Sequence, residues 1–427
     1  MADIVILGAG LGGLPMAFEA REQMRKTDTI TVISDSPTFH FTPSNPWVAV
    51  GWREAEQIKI ELAPLLKKRG IEFIHAAATK VHPDRDQVEL SNGETISYDY
   101  LVIATGPKLD FDAIEGLGPH GGHTQSVCHV NHAELAGEDW EKLVADPGPV
   151  IVGAVQGASC FGPAYEHVFT LETDLRRKKI RDQVPMTFVT SEPYIGHLGL
   201  DGVGDTKGLL EHELRQRSIK FITSARITKV EAGLMHVEEV GRQGEVVETH
   251  ELPFKHSMVL PAFKGVDAVF GVEGLVNEKG FVLVDRHQQN PNWPKIFSVG
   301  VCVAIPPVAS YPVPVGVPKT GFMIESMVRA AAKNIRALIE GREMKHESTW
   351  NAVCIADFGD GGVAFVAMPQ IPPRNVNWAV EGGWVHMAKA AFEGYFMGKM
   401  RRGVSEPFYE RMMLDLLGIT KVRDSKG

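Results

Sequence analysis

Four cysteines, Cys128, Cys160, Cys302 and Cys354, are the side chains in this sequence best suited to redox chemistry. They lie far apart, with no Cys-x-x-Cys pair and no zinc-type spacing, so no metal site is read from them. Four in 427 residues are too few for a disulfide scaffold. Each is a core residue or an individually reactive thiol. Cys160 differs by its position, after the strand-like Pro149-Val-Ile-Val-Gly153 and a glycine turn, just before a helical stretch. Unpaired N–H groups and the helix dipole stabilise a thiolate there, so a lowered pKa is one reading. A buried, inert thiol is the other.

The second chemistry is phosphate binding. Gly8-Ala-Gly10-Leu-Gly-Gly13 follows the apolar run Asp3–Leu7 and opens a helical stretch from Leu14 to about Lys26, before a second strand at Thr29–Ser34. Strand, glycine turn, helix and parallel strand make the βαβ context in which G-x-G-x-x-G binds a dinucleotide. The glycines allow a tight turn, and the helix N-terminus offers free N–H groups to a pyrophosphate. An acidic residue usually ends the second strand and holds a ribose. Ser34 occupies that register here with Asp35 one residue on, and Ser34 is favoured. Asn92-Gly93 between alternating runs marks a hairpin. Ala104-Thr105-Gly106 then closes a buried strand and resembles the second marker of two-dinucleotide-domain flavoproteins. Together the two markers favour FAD over NAD.

A second nucleotide-type turn, Gly153-Ala-Val-Gln-Gly157-Ala-Ser-Cys160-Phe-Gly162-Pro, has the wrong spacing for a nicotinamide cofactor. Cys160, Phe161 and Pro163 fill the space a pyrophosphate needs, and no acidic residue follows the next strand until Glu192. An NADH site is not expected. The chain returns to the first unit at Lys295–Gly300, an edge strand, with Val301 where related flavoproteins carry an Asp for the ribitol. Lys319, just before the helical run from Phe322, suits the pyrimidine end of a flavin, where negative charge gathers on reduction.

Composition sets the frame. Lys+Arg 44 against Asp+Glu 53 gives a net charge of −9, which argues against a nucleic-acid partner. Glycine is abundant, 43 in 427 residues, without a collagen period, as tight turns at a ligand require. The longest uncharged run, between Lys295 and Lys319, contains five prolines and cannot be a spanning helix. The opening residues enter a strand with no basic region or cleavage site, so no signal peptide is expected.

These segments together resemble the sulfide:quinone oxidoreductase family, a branch of the disulfide-reductase-like flavoproteins. The resemblance runs over essentially the whole chain and is carried by Pro43–Val48, Ala104–Lys108, Gly157–Glu166, Ser191–His197, Pro318–Met327 and Trp350–Cys354. It implies an α/β fold of two Rossmann-like dinucleotide-binding domains plus C-terminal amphipathic helices. The expected division is 1–110 and 291–345 for the two parts of the FAD domain, 111–290 for the second Rossmann-like domain, and 346–427 for a C-terminal segment. It implies FAD as cofactor, Gly300 at the flavin, and Cys160 and Cys354 as the redox pair facing it. Cys128 is the family's third cysteine, and Cys302 reads as a core thiol. His132 and His197 match positions that handle protons near the sulfide route, although a lone histidine is more often structural. Glu166 is a candidate proton acceptor or a helix cap.

The implied chemistry follows from thiol exchange. Sulfide attacks the Cys160–Cys354 bridge to leave a persulfide and a thiolate. The thiolate, placed on Cys354, passes two electrons to FAD, polysulfide grows and leaves, and quinone, ubiquinone or menaquinone, reoxidises the cofactor. A lipid-soluble acceptor calls for a membrane surface. Trp384, Val385, Ala388, Phe392, Tyr395 and Phe396 recur at helical spacing among Lys389, Lys399, Arg401 and Arg402, and Phe408, Tyr409, Met412, Met413, Leu416 and Leu417 form a second apolar face. These read as interfacial helices on anionic lipid or as ordinary packing faces. Phe392 and Tyr409 match the residues that sandwich the quinone. The expected location is peripheral, on the cytoplasmic membrane, and a homo-oligomer stays open. The competing readings are a flavocytochrome c sulfide dehydrogenase flavoprotein and a type II NADH:quinone oxidoreductase.

Overall fold

The computed structural model describes residues 1–425. Its first sheet is parallel, with Ile296–Ser298, Tyr100–Ile103, Asp3–Leu7, Thr29–Ser34 and Glu72–His75 in that order. Ile4, Val5, Ile6 and Leu7 are all buried, as a strand covered on both faces requires. The Gly13–Gln23 helix covers the sheet, and the long Gly321–Ile339 helix packs along it. The Asn92-Gly93 hairpin forms as expected, joining Gln87–Leu90 to Thr95–Ser97 in a small antiparallel sheet.

A second parallel sheet orders Ile219–Ile222, Met186–Thr190, Val150–Ala154 and His256–Leu260. Its glycine turn leads into the Gly162–Lys178 helix. Two parallel sheets, each entered through a glycine turn, make the α/β architecture expected.

The C-terminal segment carries the expected helices and adds a sheet before them. Before the helices it forms a three-stranded antiparallel sheet, Ala352–Asp357, Gly362–Met368 and Val376–Glu381. Val363-Ala-Phe-Val-Ala is a short unbroken apolar run of the kind a buried strand carries, and Gly359, Asp360 and Gly361 close a tight connection between the first two strands. The Ala352–Asp357 strand contacts both the Gly162–Lys178 helix and the Gly321–Ile339 helix. The helices Trp384–Arg401 and Phe408–Leu416 follow, and a final strand, Val422–Asp424, pairs with His346–Ser348. Among the described residues no helix is long and apolar enough to cross a membrane.

Candidate active site

The first glycine turn is built to admit a dinucleotide. Gly8 has φ +96°, and a Cβ there would lie 2.5 Å from the Ala104 carbonyl oxygen. A Cβ at Gly13 would collide with the Gly8 carbonyl, whereas one at Gly10 would meet nothing within 4 Å. The turn is thus tight against Ala104 behind and open in front. The helix it starts has no side-chain cap, which leaves its first N–H groups for a ligand. Thr105 and Gly106 continue from Ala104, and Gly300, at φ +89°, faces Gly12. The Ser34 hydroxyl accepts the Ser36 N–H at 3.2 Å and keeps its own proton to donate. Asp35 is exposed beside it. This cradle fits the adenine-dinucleotide part of FAD.

The second glycine turn is closed. The Gly157 N–H donates to the Pro314 carbonyl at 2.6 Å, and the Gly316 N–H donates to the Ala158 carbonyl at 2.8 Å. A Cβ at Gly316 would press on Ser159, and Phe161 is fully buried. The chain's own Pro312–Val317 segment therefore lies where a second pyrophosphate would approach. Glu192, at the end of the next strand, is buried and accepts from Tyr165 Oη at 2.8 Å, Thr190 Oγ1 at 2.8 Å and the Leu198 N–H at 2.6 Å. Burial lifts its pKa to about 7. It braces the loop carrying His197 and is not presented to a ribose.

Three of the four cysteines gather around one place. All four are free thiols. Cys160 lies within electrostatic reach of Cys128 and Lys319, and Cys354 within reach of Cys160. Of the two readings of Cys160, helix position alone does not carry acidification. Burial lifts its thiol to about 12, reinforced by Cys128 and opposed by Lys319. Helix proximity does not offset the loss of water. Burial likewise lifts Cys354 to about 12 and Cys128 to about 11, and lowers Lys319 to about 8. Cys302 is buried apart from the turn, 3.4 Å from Ser298 Oγ and the Ile103 carbonyl, as a core thiol should be.

The two histidines occupy separate surroundings. His132 is buried, with its Nε2 3.1 Å from His120 Nε2 and its ring against Phe111 and His129. Burial, aided by the neighbouring rings, lowers its pKa to about 4. The Nδ1 of His197 accepts the Gly199 N–H at 3.1 Å, so its proton sits on Nε2, 3.1 Å from Tyr311 Oη. Glu166 is no helix cap. It pairs with Lys389 of the Trp384–Arg401 helix, and both are buried.

That pair corrects the reading of the C-terminal basic residues. Lys389 and Lys399 are buried and turned inward, Lys399 binding Glu325 at 2.6 Å and Glu410 at 3.2 Å. Of the four basic residues flanking the first helix face, Arg401 and Arg402 remain exposed. Phe396 packs on Phe39 and Phe41, whereas Trp384, Met387 and Phe392 are exposed. The second helix presents its apolar face outward, with Phe408 77%, Met412 58% and Leu416 86% exposed. Phe392 and Tyr409 do not touch directly. Tyr395 stands between them, its ring 6.4 Å from Phe392 and 6.1 Å from Tyr409.

Sequence reasoning missed Lys389 as a buried partner, Tyr311 and Arg374 beside His197, and Thr320 and Gln370, which bond each other across Lys319. Thr320 alone carried a local signal, since a threonine before a helix is an expected N-cap.

Comparison with known proteins gives the same architecture. The family model described as pyridine nucleotide-disulphide oxidoreductase matches residues 2–322. The sulfide-quinone reductase of Aquifex aeolicus is 43% identical over 415 residues, spanning 97% of this chain and 94% of that protein. The crystal structure of the Aquifex aeolicus sulfide:quinone oxidoreductase superposes with a TM-score of 0.95 at 42% identity, covering 100% of this chain and 98% of the other. The mitochondrial sulfide:quinone oxidoreductase of Mus musculus is 23% identical over 71% of this chain and 66% of its own length. Similarity of this extent, reaching past the shared nucleotide-binding core into the C-terminal sheet and helices, places the chain in the sulfide:quinone oxidoreductase family of pyridine nucleotide-disulphide oxidoreductases.

Proposed function

We propose that this protein oxidises sulfide at the Cys160–Cys354 pair and delivers the electrons to a membrane quinone. The observation that supports this reading best is the placement of the Cys354 strand. It packs against both the helix that follows Cys160 and the helix that follows Lys319, which supports reading the two distant cysteines as a pair. Gly8, Gly10, Gly13, Ala104, Thr105, Gly106, Gly300 and either Ser34 or Asp35 would hold FAD, with Lys319 at its pyrimidine end, and the flavin would supply two-electron acceptance from the cysteine site and release to quinone.

In the oxidised protein the two sulfurs are joined. Sulfide anion opens the bridge, leaving a persulfide on Cys160 and a thiolate on Cys354. Burial makes that thiolate costly, which favours its rejoining the Cys160 persulfide in a bridge one sulfur longer, a step that releases the persulfide proton and two electrons for which a bound flavin would be the acceptor. Lys319 offsets part of the charge near Cys160. His132 and His197, both neutral at working pH, and Glu166, paired with Lys389, are read as the groups that handle protons from incoming hydrogen sulfide. Cys128, within electrostatic reach of Cys160, is the family's third cysteine, the one that some members join covalently to the flavin. Phe392 and Tyr409, bridged by Tyr395, line the quinone end, and the exposed faces of the C-terminal helices rest on lipid. The protein is then a peripheral enzyme of the cytoplasmic membrane.

Anaerobic titration tests the reading. Sulfide should bleach the flavin and added quinone should restore its colour, while NADH, faced with the closed second turn, should not bleach it. Rapid bleaching by NADH and none by sulfide would overturn the proposal.

A further inference from the structure

His120 and His132 meet ring to ring, their Nε2 atoms 3.1 Å apart and their planes at 67°. His132 is buried in the first turn of the Val130–Ala145 helix, shortly after Cys128. His120 is exposed, on a loop built to carry it. The His123 N–H closes that loop on the Gly116 carbonyl at 2.8 Å, and the Gly118 N–H bonds Thr124 Oγ1 at 2.8 Å. Gly118 has φ +98°, and a Cβ there would lie 2.7 Å from the Phe111 ring. Phe111 in turn packs on His132, with ring centres 5.8 Å apart. One aromatic side chain therefore seats both the loop and the buried histidine. Two imidazole nitrogens at this distance share one proton, one ring donating and the other accepting. The other nitrogen of His132 decides which. Its Nδ1 is buried with no partner. A buried N–H left unpaired is rarer than an under-used acceptor. Nδ1 is thus the bare nitrogen, and Nε2 carries the proton and donates it to His120.

We propose that His120 is the positioning residue for His132: by accepting the Nε2 proton, it holds the buried ring in the tautomer whose bare Nδ1 acts as a base. This rests on the reading of His132 as a group that takes protons from hydrogen sulfide, and it adds the partner that makes the ring competent. Nδ1 takes one proton from hydrogen sulfide and leaves hydrosulfide anion as the nucleophile; no electrons move in the step. The imidazolium keeps its Nε2–H on His120, a bond now charge-assisted and stronger than in the neutral ring. It later gives the Nδ1 proton to water. The surroundings supply no competing partner, since His120 is the one side-chain partner of His132 among the described residues. The ring of His129 stands edge-on with centres 5.2 Å apart, itself within electrostatic reach of Asp35 and His40. Of the elements packed on the His132 helix, Asn45–Val48 carries no charge, and His256 of the His256–Leu260 strand bonds Asp139 at 2.7 Å. At the stem of the loop, Asp110 pairs with Lys264 at 2.6 Å and Glu115 with Lys229 at 3.4 Å, while Asp112 is exposed.

Tautomer and chemistry are read separately. Full-length, FAD-loaded protein carrying nitrogen-15 histidine is observed by NMR at neutral pH, with the His132 signals assigned by their loss in His132→Gln. In the wild type, His132 Nδ1 should show the shift of an unprotonated nitrogen and Nε2 that of a protonated one. His120→Phe keeps a ring at an exposed site but removes the acceptor, and should let the two tautomers mix. In anaerobic stopped flow the same variant should slow sulfide bleaching about tenfold, a fraction of the worth of a positioned base, with quinone reoxidation unchanged. His120→Gln, whose side-chain carbonyl accepts the same proton, should restore both the tautomer and the rate. A protonated Nδ1 in the wild type, or a wild-type tautomer in His120→Phe, would overturn the proposal. So would unchanged bleaching in His120→Phe beside slow bleaching in His132→Gln. If the tautomers mix in His120→Phe while bleaching stays at wild type in both variants, the placement of His132 by His120 stands and the reading of His132 as the sulfide base falls.

Discussion

Lys389 and Glu166 form a buried ion pair that fastens the Trp384–Arg401 helix to the helix beginning just past Cys160. The ammonium also stands 5.0 Å from the Trp47 ring, whose indole N–H donates to Asp357 at 2.7 Å. The C-terminal helices are thus part of the body that carries the cysteines. A second lock lies further along, where Lys421 binds Glu325 at 2.7 Å and Glu410 at 2.6 Å.

Removing one member of the first pair strands a buried charge. Lys389→Met alone should destabilise the protein by about 3–5 kcal/mol. Lys389→Met combined with Glu166→Gln should recover part of that loss, because neither charge is then left uncompensated. Denaturation of the two single variants and the double variant closes the cycle. Additive losses would show that the pair is not coupled.

Cys160→Ser and Cys354→Ser should each abolish sulfide-dependent bleaching while the purified protein stays yellow, since the glycine cradle is separate from the thiols. Cys302→Ser should be nearly silent, because a serine hydroxyl finds acceptors ready at the Ile103 and Val299 carbonyls. Anaerobic stopped-flow absorbance with sulfide reads all three. Retained bleaching in either of the first two would sink the disulfide route.

The flavin cradle was legible because it is local: Gly8, Gly10 and Gly13 announce a turn whose demands are met within one βαβ unit. The proposed pairing of Cys160 with Cys354 rests on family resemblance, since no spacing rule brings a strand after residue 350 to a turn before residue 162. Lys389 and Lys399 misled for a physical reason. A lysine on an amphipathic helix looks the same in sequence whether it points to lipid headgroups or to a buried Glu166 or Glu325. Helix position alone does not carry acidification of Cys160 because it is read locally, whereas the burial that outweighs it comes from distant segments.

His197 gives the protein an acid-sensitive term. Burial lowers its pKa to about 4, against about 6.5 in an unfolded chain. Between these values the unfolded chain binds a proton that the native ring does not. Its stability contribution is therefore complete above about pH 6.5 and lost as pH falls toward 4, by up to about 3 kcal/mol. Glu192, raised to about 7, runs the other way and loses its contribution as pH rises through about 4.5 to 7. His197→Gln removes the first term alone. Melting temperatures of the variant and wild type should converge on acidification from pH 6.5, and a constant gap would show that His197 is not the titrating group.

The outer helix allows the lipid and quinone roles to be separated. Truncating the C-terminal helices would not do this cleanly, because Phe396 fills a core against Phe39 and Phe41, and Val422–Asp424 pairs with His346–Ser348. Point changes on the exposed face avoid that damage. Met412→Asp with Leu416→Asp alters two outward side chains, 58% and 86% exposed, and should leave folding and sulfide bleaching intact. Loss of two inserted apolar side chains should weaken vesicle binding on the order of 100-fold. Tyr409→Ala acts differently. It removes one ring that neighbours Tyr395 and a hydroxyl that accepts from Arg402 at 2.9 Å, but spares most of the apolar face. Vesicle binding should persist while the KM for quinone rises about two- to tenfold, the worth of a single aromatic contact. Cosedimentation with anionic vesicles and detergent-solubilised quinone kinetics read the two effects independently. Should the paired aspartates leave vesicle binding unchanged, the outward face is not the lipid contact. Should Tyr409→Ala weaken vesicle binding as strongly as the aspartates and leave the quinone KM unchanged, that ring belongs to the membrane anchor alone.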